Sequence, residues 1–243
     1  HRDLHSFPTR RSSDLSGGIY VLVRKTLKKY ISFTKITENS ICILFDKSLF
    51  NLNLDLLYTC TYIHPEGSTF YNKPDLYSRN GITIFQDSLL DVISTMPDVH
   101  ILCGGDFNAR TGTEPDFIED DIIEHTEGHD HSMWDFLLDY FSLKRFSFDK
   151  TVNNYGKALL DLCSVLNIHI MNGRCGSDAE KGDFTFIGHN GTSVVDYIIS
   201  SAALFNNVQN FEIPSRAESD HMPLTTRLRA LHSQSAADRK SVV

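Results

Sequence analysis

Short apolar runs dominate the chain and predict a domain built mainly from β-strands. These runs are rich in β-branched and aromatic side chains, and turn residues separate them, as is typical of strands. They occupy residues 18–24, 41–45, 57–63, 99–103, 168–171, 194–199, 208–213 and 222–228. The pattern therefore predicts strands along most of the sequence.

Three other stretches repeat apolar residues at steps of three and four, which is the spacing of one helix face. Residues 80–96 show this most clearly, and Pro97 ends the predicted helix. Residues 132–141, which begin with a capping pattern, and residues 154–166 are predicted as further helices. Helices alternating with strands, without repeats or linkers, predict one layered α/β domain.

Composition restricts the class of protein further. The 243 residues are 41% hydrophobic and 22% charged, which suits one domain with a sizeable core, and no run of 18 apolar residues predicts a membrane span. The formal net charge of -8 excludes a broadly basic nucleic-acid-binding surface but leaves a local basic groove open. The five cysteines contain no C-x-x-C pair, so we expect buried free thiols rather than a disulfide framework or zinc site.

Acidic residues are concentrated in residues 111–143, which contain ten acids and no Lys or Arg. We expect a mobile surface insertion over residues 113–131, because like charges repel and no apolar period is present. This stretch holds three histidines and two acids that could suggest zinc: Glu124, His125, His129, Asp130 and His131. Their spacing lacks the strand or helix frame of structural zinc sites, so we favour a solvated loop.

The two ends differ in character from the rest. Residues 1–15 carry neither a signal-peptide core nor an amphipathic period, and from Leu4 they resemble a translated sequencing adapter. Residues 238–243 resemble the same adapter read from the other side, although an ordinary basic arm at each end is the alternative. The predicted organisation is an artefactual head at 1–15, a domain at 16–232 and a disordered tail at 233–243.

Two clusters of polar residues could carry chemistry. Asp106 and Asn108 follow an apolar strand and two glycines, and their spacing places both side chains on one side of an extended chain. A carboxylate and an amide there suit water activation and oxyanion binding, but an Asx turn explains them equally well.

The second cluster joins a strand to a distant loop. Asp196 interrupts an apolar strand, where a charge is costly unless it is exposed or paired. Ser219-Asp220-His221 offers a partner, because a histidine supported by a carboxylate can act as a base or bind phosphate. We predict that Asp196 and His221 lie within hydrogen-bond distance, although a simple surface loop at 219–221 is the alternative.

Together these motifs resemble the endonuclease/exonuclease/phosphatase superfamily, and most closely the endonuclease domain of non-LTR (LINE-type) retrotransposons. The resemblance covers residues 16–231. It is carried, in the family's order, by Tyr-Ile-His-Pro at 62–65, Gly-Asp-Phe-Asn at 105–108, Thr-Phe at 185–186, Val-Asp-Tyr at 195–197 and Ser-Asp-His at 219–221. The fold implied is a four-layer α/β sandwich of two packed mixed β-sheets flanked by helices, with the first strands missing.

The resemblance also implies a role for each matching residue. Tyr62 would contact the scissile phosphate, Asp106 would activate water, and Asn108 would hold that water or the phosphate oxygens. Asp196 would support His221, which would steady the phosphate. The remaining implied roles are a metal ligand at Asp220, for Mg2+ or alternatively Mn2+, and a substrate contact at Arg110. We expect these residues, except Arg110, to converge on one pocket.

The resemblance implies a Mg2+-dependent DNA endonuclease that acts in the nucleus, and it leaves open a fusion to a downstream reverse transcriptase. Family members begin with a strand that carries an Asn and, further on, have a Glu that is the principal metal ligand. Neither has a match in residues 1–17, so we expect the chain as printed to be inactive or nearly so. DNA binding would be weak and would depend on exposed bases, namely Lys25, Lys28, Lys29, Arg110, Lys144, Arg145 and Lys150. The alternatives are a phosphatase of the same fold acting on a small phosphoester, and a decayed or domesticated non-catalytic copy.

Overall fold

The computed structural model describes residues 18–72, 79–117, 144–189, 191–216 and 218–230. These residues form ten strands, two α-helices and several short 3-10 helices. The strands are β1 (Ile31–Ile36), β2 (Ser40–Phe45), β3 (Asp55–Tyr62), β4 (Val99–Asp106), β5 (Ile168–Ile170), β6 (Phe186–Gly188), β7 (Gly191–Ser193), β8 (Asp196–Ser201), β9 (Val208–Glu212) and β10 (Thr225–Leu228). The helices are α1 (Gly81–Ser94) and α2 (Asn154–Leu166).

Six strands form the main sheet, in the order β1-β2-β3-β4-β8-β5. Only β3 and β4 run parallel, and α1 connects them, as a parallel pair requires a long crossover. Strand β8 lies antiparallel between β4 and β5. The carboxyl ends of β3 and β4 and the amino end of β8 therefore meet at one edge of the sheet.

Both helices pack on the same face of this sheet. Asn80 begins α1 by accepting a hydrogen bond from the Ile82 amide at 2.8 Å, and Asn153 begins α2 by accepting one from the Gly156 amide at 2.7 Å. Their apolar faces are buried in one core with the inward side chains of the sheet, including Leu57. The predictions of helices at 80–96 and 154–166 are confirmed.

The opposite face of the main sheet carries a smaller core. Leu56 and Leu102 of the main sheet contact Phe211 of β9 there, and residues of β10 pack around them. The antiparallel pair β9–β10 thus forms a second sheet over the first, and β6–β7 is a separate hairpin. The predicted α/β class, with packed sheets and flanking helices, is confirmed, and within the described residues the second sheet has two strands.

The prediction of a strand at residues 18–24 is wrong. These residues form no strand and lead into a 3-10 helix at Lys25–Tyr30, whereas the edge strand is β1, which was not predicted. Tyr20 and Leu22 are 91% and 97% exposed, so the apolar run that predicted a strand does not pair with another segment of the described chain. Strand β1 was not predicted because it lies at an edge of the sheet, where every second side chain is only half-buried and the others are exposed.

The other predicted strands are confirmed with small changes in their limits. All five cysteines are free thiols, and Cys42, Cys103 and Cys163 are buried, as expected. No helix of the described residues is long and apolar enough to cross a membrane. The predicted helix at 132–141, the histidines at 125–131, most of the acidic insertion, the head at 1–15 and the tail at 233–243 lie outside the described residues.

Candidate active site

Three adjacent strands place Tyr62, Asp106 and Asp196 side by side. Tyr62 at the end of β3 is opposite Asp106 at the end of β4, and Asp106 is opposite Asp196 at the start of β8. Side chains that lie directly opposite in neighbouring strands share one face of the sheet. The register of the main sheet therefore concentrates one phenol and two carboxylates at a single edge.

His221 joins this group from the loop that precedes β10. Its Nδ1 atom lies 3.0 and 3.1 Å from the two carboxylate oxygens of Asp196, which confirms the hydrogen bond predicted across 25 positions. The Phe186 ring of β6 packs edge-on against the imidazole, with 5.0 Å between ring centroids. A backbone bridge between Phe186 and His221 fixes the same contact. The histidine is thus held on two sides.

The charges of the cluster are strongly coupled. The hydrogen bond with Asp196, together with the negative charges of Asp196 and Asp106, raises the pKa of His221 to about 9. Burial and, after it, the neighbouring charge of Asp196 together raise the pKa of Asp106 to about 6. At neutral pH the imidazole is therefore cationic, and the Asp106 carboxylate is ionised but close to its titration range.

Asn108 is held rigidly beside Asp106. Its backbone has the left-handed conformation, with φ of 48°, and its amide N–H donates to Asp106 at 2.9 Å. The side-chain Nδ2 donates to the Ile63 carbonyl at 2.8 Å and to Asp106 at 3.2 Å. Both hydrogens of the side-chain amide are thus used internally, so its carbonyl oxygen is the atom suited to accept a hydrogen bond from a water molecule.

Two buried polar residues that the sequence analysis did not assign to the site hold the strand that carries Asp196. The Thr185 hydroxyl accepts hydrogen bonds from the Val195 and Asp196 amides, both at 3.0 Å. The Asn172 side chain donates to the Asp196 carbonyl at 3.1 Å and accepts from the Ile198 amide at 3.2 Å. Thr185 belongs to one of the family motifs, but Asn172 gave no comparable sign in the sequence.

Tyr62 contributes a hydroxyl that stays protonated. Burial raises the pKa of Tyr62, and the charge of Asp106 raises it further, so the phenol is a hydrogen-bond donor at neutral pH. Its ring lies edge-on against His64, with 4.9 Å between centroids, and His64 stacks on Phe70 at 4.0 Å. The rings of Tyr62, His64 and Phe70 therefore form a continuous row of contacts that starts at the site.

The remaining predicted residues lie less centrally. Asp220 is exposed and adjacent to His221, and its carbonyl accepts a hydrogen bond from the Ile187 amide at 2.8 Å. Arg110 forms a bidentate ion pair with buried Asp149, with both N–O distances at 2.7 Å. Its guanidinium is thus committed to a structural contact.

For one residue of the predicted DNA-binding set, the expected exposure is wrong. Arg145 was expected to be an exposed base but is 4% exposed. Its guanidinium donates to backbone carbonyls of the loop after β4, among them those of Gly112 and Glu114, both at 2.9 Å. The fold uses this charge to satisfy buried carbonyls, so it is not available to phosphate.

The cluster has donor atoms suited to a divalent ion. One ligand atom each from Asp106, Asp196 and His221 lies within 4.8 Å of the others, and no other such group occurs in the described residues. Mg2+ is usually held by one or two carboxylates and retains waters, which fits the two aspartates. A cation between the two acids would offset both causes of the raised pKa of Asp106, namely burial of its charge and the neighbouring charge of Asp196.

No protein-family profile and no curated protein matches the sequence. Similar solved structures include the endonuclease domain of TRAS1, a telomere-specific non-LTR retrotransposon, with 15% identity over 80% of this chain and 63% of that one, at a TM-score of 0.48. The AP endonuclease LMAP from Leishmania major shows 10% identity over 79% and 55%, at 0.49. The 3'-5' exonuclease NExo from Neisseria meningitidis shows 13% over 79% and 65%, at 0.43.

The chain spans less than two thirds of the length of each of these structures. By their names, these three proteins are an endonuclease, a 3'-5' exonuclease and an AP endonuclease. The fold and the site define an α/β sandwich protein with an aspartate–histidine pair, a second aspartate and a tyrosine at one edge of its main sheet.

Proposed function

We propose that this chain is a hydrolytic phosphodiesterase domain that uses a divalent metal ion, Mg2+ or alternatively Mn2+, to cleave DNA. One observation carries the proposal: Tyr62, Asp106 and the Asp196–His221 pair converge at the edge where β3, β4 and β8 meet. Such a group combines a proton acceptor, two phosphate-directed donors and a place for a cation, which are the parts that phosphodiester hydrolysis requires.

Each residue has a role that follows from its contacts. Asp106, with a pKa of about 6, is ionised at neutral pH and can accept a proton from an attacking water. The amide oxygen of Asn108 can orient that water. The protonated phenol of Tyr62 and the cationic imidazole of His221 can donate hydrogen bonds to the phosphoryl oxygens.

The ion would be held by Asp106 and Asp196, with Asp220 as a further candidate from the adjacent loop. When bound, a divalent ion supplies Lewis-acid polarisation of a phosphoryl oxygen and stabilises the leaving alkoxide. Mg2+ loses its water reluctantly, and without substrate phosphate only the two carboxylates would hold it, so we expect weak metal binding and only slow cleavage by the chain as printed. A nuclear location and fusion to a reverse transcriptase belong to the same proposal, through the family resemblance.

The test is nicking of supercoiled plasmid with Mg2+, with Mn2+ and with EDTA, since one cut per molecule suffices for detection. We expect slow, metal-dependent nicking that is lost in Asp106→Asn and in His221→Ala. Asp161→Asn is the matched control, because Asp161 is exposed on α2. Nicking that persists in EDTA or in Asp106→Asn would contradict the proposal.

A small phosphoester such as an inositol phosphate serves as the competing substrate. Release of phosphate from this substrate without plasmid nicking would assign the site to a phosphatase instead. A folded protein that cleaves neither substrate and binds no divalent ion in calorimetric titration would identify a non-catalytic copy.

A further inference from the structure

Four exposed bases lie together just before β1. They are Arg24, Lys25, Lys28 and Lys29, and the three lysines belong to the 3-10 helix Lys25–Tyr30 that leads into this strand. We call these four residues the basic patch. Residues 18–37, which include the patch, contain five bases and no acid, although the whole chain carries 31 acids and 23 bases. Positive charge is therefore concentrated here on a chain whose formal net charge is -8.

The geometry of the 3-10 helix explains why the lysines are exposed. With three residues per turn, side chains three positions apart lie in one row along the helix axis. Leu27 and Tyr30 form one row and are half-buried, whereas Lys25 and Lys28 form a second row that is exposed. Lys29 lies on the third row, with its ammonium group 4.8 Å from the centre of the Tyr30 ring.

The stability of the helix does not account for this arrangement. Cations are favourable at the carboxyl end of a helix, where Lys28 and Lys29 lie, but unfavourable at the amino end, where Arg24 and Lys25 lie. Two lysines that are three positions apart on one row also repel each other. None of the four bases forms an ion pair with a described residue. An external anion would offset this repulsion.

The neighbouring turn leaves the excess of positive charge unchanged. The Asp46 amide donates a hydrogen bond to the Tyr30 carbonyl at 2.8 Å, which places residues 46 and 47 beside the helix. Asp46 is an exposed acid and Lys47 is an exposed base, so their charges cancel. The Asp46 carboxylate also accepts hydrogen bonds from the amide and the hydroxyl of Ser48. A polyanion that approaches the patch thus meets a net positive surface.

The basic patch lies at the end of the main sheet that is opposite to the candidate active site. Ile31 at the start of β1 pairs with Phe45, and Phe45 pairs with Leu56 near the start of β3. Tyr62 of the candidate site is at the other end of β3, about 20 Å away at roughly 3.3 Å per residue. A phosphate bound at the candidate site is therefore out of reach of the patch.

We propose that the basic patch binds the phosphate backbone of a nucleic-acid strand, at a place separate from the candidate active site. The proposal goes beyond the proposed function, because it does not require that the chain cleaves DNA. Contacts of this kind carry no sequence information, and release of counterions from the phosphates makes their affinity fall with salt. Such a contact would hold the protein on nucleic acid while the candidate site stays free to engage another segment.

Fluorescence anisotropy in EDTA measures this binding without cleavage. The probe is a fluorescein-labelled single-stranded DNA of about 20 nucleotides, titrated with the full chain at roughly 50 to 200 mM salt. Lys25→Gln/Lys28→Gln removes two phosphate contacts, and each contact contributes about 0.7 to the slope of log K against log salt. We expect the slope to become shallower by about 1.4, and the affinity at the lowest salt to fall on the order of tenfold or more.

Two matched variants separate the patch from the net charge of the protein. Lys25→Arg/Lys28→Arg keeps both charges and should keep the wild-type slope. Lys157→Gln/Lys181→Gln removes two exposed lysines that lie outside the patch, and it should keep the wild-type slope as well. Thermal unfolding checks that each variant is folded.

Further probes identify the form of the backbone. The same sequence as single-stranded RNA and as duplex DNA is titrated in parallel, and a slope that depends on the patch with any of the three nucleic acids supports the proposal. Vesicles of phosphatidylserine and phosphatidylcholine present anionic phosphates on a membrane surface instead. Binding of the vesicles without binding of any nucleic acid would overturn the proposal.

The remaining outcomes keep the two proposals apart. No measurable affinity for the three nucleic acids, an unchanged slope in Lys25→Gln/Lys28→Gln, or an equal change in Lys157→Gln/Lys181→Gln would also overturn the basic patch. Plasmid nicking together with any of these results would leave the proposed function intact. Patch-dependent binding without nicking would support the basic patch while the proposed function fails.

Discussion

Burial disfavours the charged form of Asp106, whereas the proposed role of this residue as a proton acceptor needs that charged form. Its carboxylate is held between the Asn108 side chain and the facing carboxylate of Asp196, and both burial and that neighbouring charge raise its pKa to about 6. A carboxyl group in this state binds protons near neutral pH, which is the range a general base requires. The arrangement destabilises the empty site and thereby favours binding of a cation.

Because of the Asp196–His221 pair, the free energy of unfolding should decrease as the pH rises into the alkaline range. The folded pKa of His221 is about 9, above its ordinary value of 6.5, so the stabilisation is complete below pH 6.5 and is lost as pH rises through 9. We expect the urea midpoint of the wild-type protein to fall between pH 7 and 9.5, and to fall less in Asp196→Asn. Asp161→Asn should match the wild type, and equal slopes in all three proteins would contradict the assignment.

Gly105, next to Asp106, packs against the backbone of β3 too closely for a side chain. The residue has φ of 145°, and a Cβ atom there would lie 1.8 Å from the Thr61 carbonyl oxygen. We expect Gly105→Ala to lower the free energy of unfolding by about 3 kcal/mol or more, because the clash is with backbone. Gly67, with φ of 78° and open space around it, is the matched control, and Gly67→Ala should cost about 1 kcal/mol in chemical denaturation.

At the scale of elements, the start of α2 positions the loop that bears Asn108. Asn153 caps the helix and also accepts a hydrogen bond from the Arg110 amide at 2.9 Å, while its Nδ2 donates to the Asn108 carbonyl at 3.2 Å. The first turn approaches so closely that a Cβ on Gly156 would meet the Arg110 carbonyl oxygen at 1.8 Å. The helix therefore supports the site through its amino end.

Comparing the two helix caps separates capping from support of the site. Asn80→Ala removes only the cap of α1 and should cost about 1 kcal/mol of stability. Asn153→Ala should cost about 2 kcal/mol or more, because the buried backbone groups of the loop also lose partners. It should also reduce plasmid nicking more strongly than Asn80→Ala. Equal effects of the two variants on both properties would show that the loop does not depend on Asn153.

At the scale of the whole molecule, a buried ion pair joins the loop after β4 to the segment after β5. Asp116 and Arg174 have side chains that are 0% and 1% exposed, with N–O distances of 2.5 and 2.7 Å. Burial alone would raise the pKa of Asp116, but the hydrogen bonds from Arg174 and the imidazole of His169, 3.6 Å away, hold that pKa well below its usual range. The Ile170 amide also donates to this carboxylate at 2.8 Å.

Breaking this pair should be far more damaging than removing a surface pair. Asp116→Asn should lower the free energy of unfolding by about 3–5 kcal/mol, since it leaves a buried guanidinium without its counter-charge. Asp91→Asn removes the exposed pair with Lys35 and should cost at most about 1 kcal/mol. The double variant Asp116→Leu/Arg174→Met should recover part of the loss. A small effect of Asp116→Asn in urea unfolding would contradict this account.

Local patterns were enough to predict the two described α-helices and most of the described strands. The apolar positions of α1 and α2 repeat within a few residues, and each Asn cap lies next to the helix it starts, so this information is present in short windows. The strand wrongly predicted at residues 18–24 shows the limit of such windows. An apolar segment forms a strand only where it can pair with a neighbouring strand. Residues 31–36 form the edge strand β1 because they pair with β2.

The sequence by itself determined the kinds of groups at the site, since the motifs at Tyr62, Asp106, Asp196 and His221 are local. Only the tertiary structure decided their distances, through the register that aligns three strands and the insertion of β8 between β4 and β5. The tertiary structure also decided that Arg145 is buried, because its guanidinium donates hydrogen bonds to backbone carbonyls of the loop after β4. The physical reason is the same throughout: periodicity is set by neighbours along the chain, whereas charge pairing and burial are set by residues far apart in sequence.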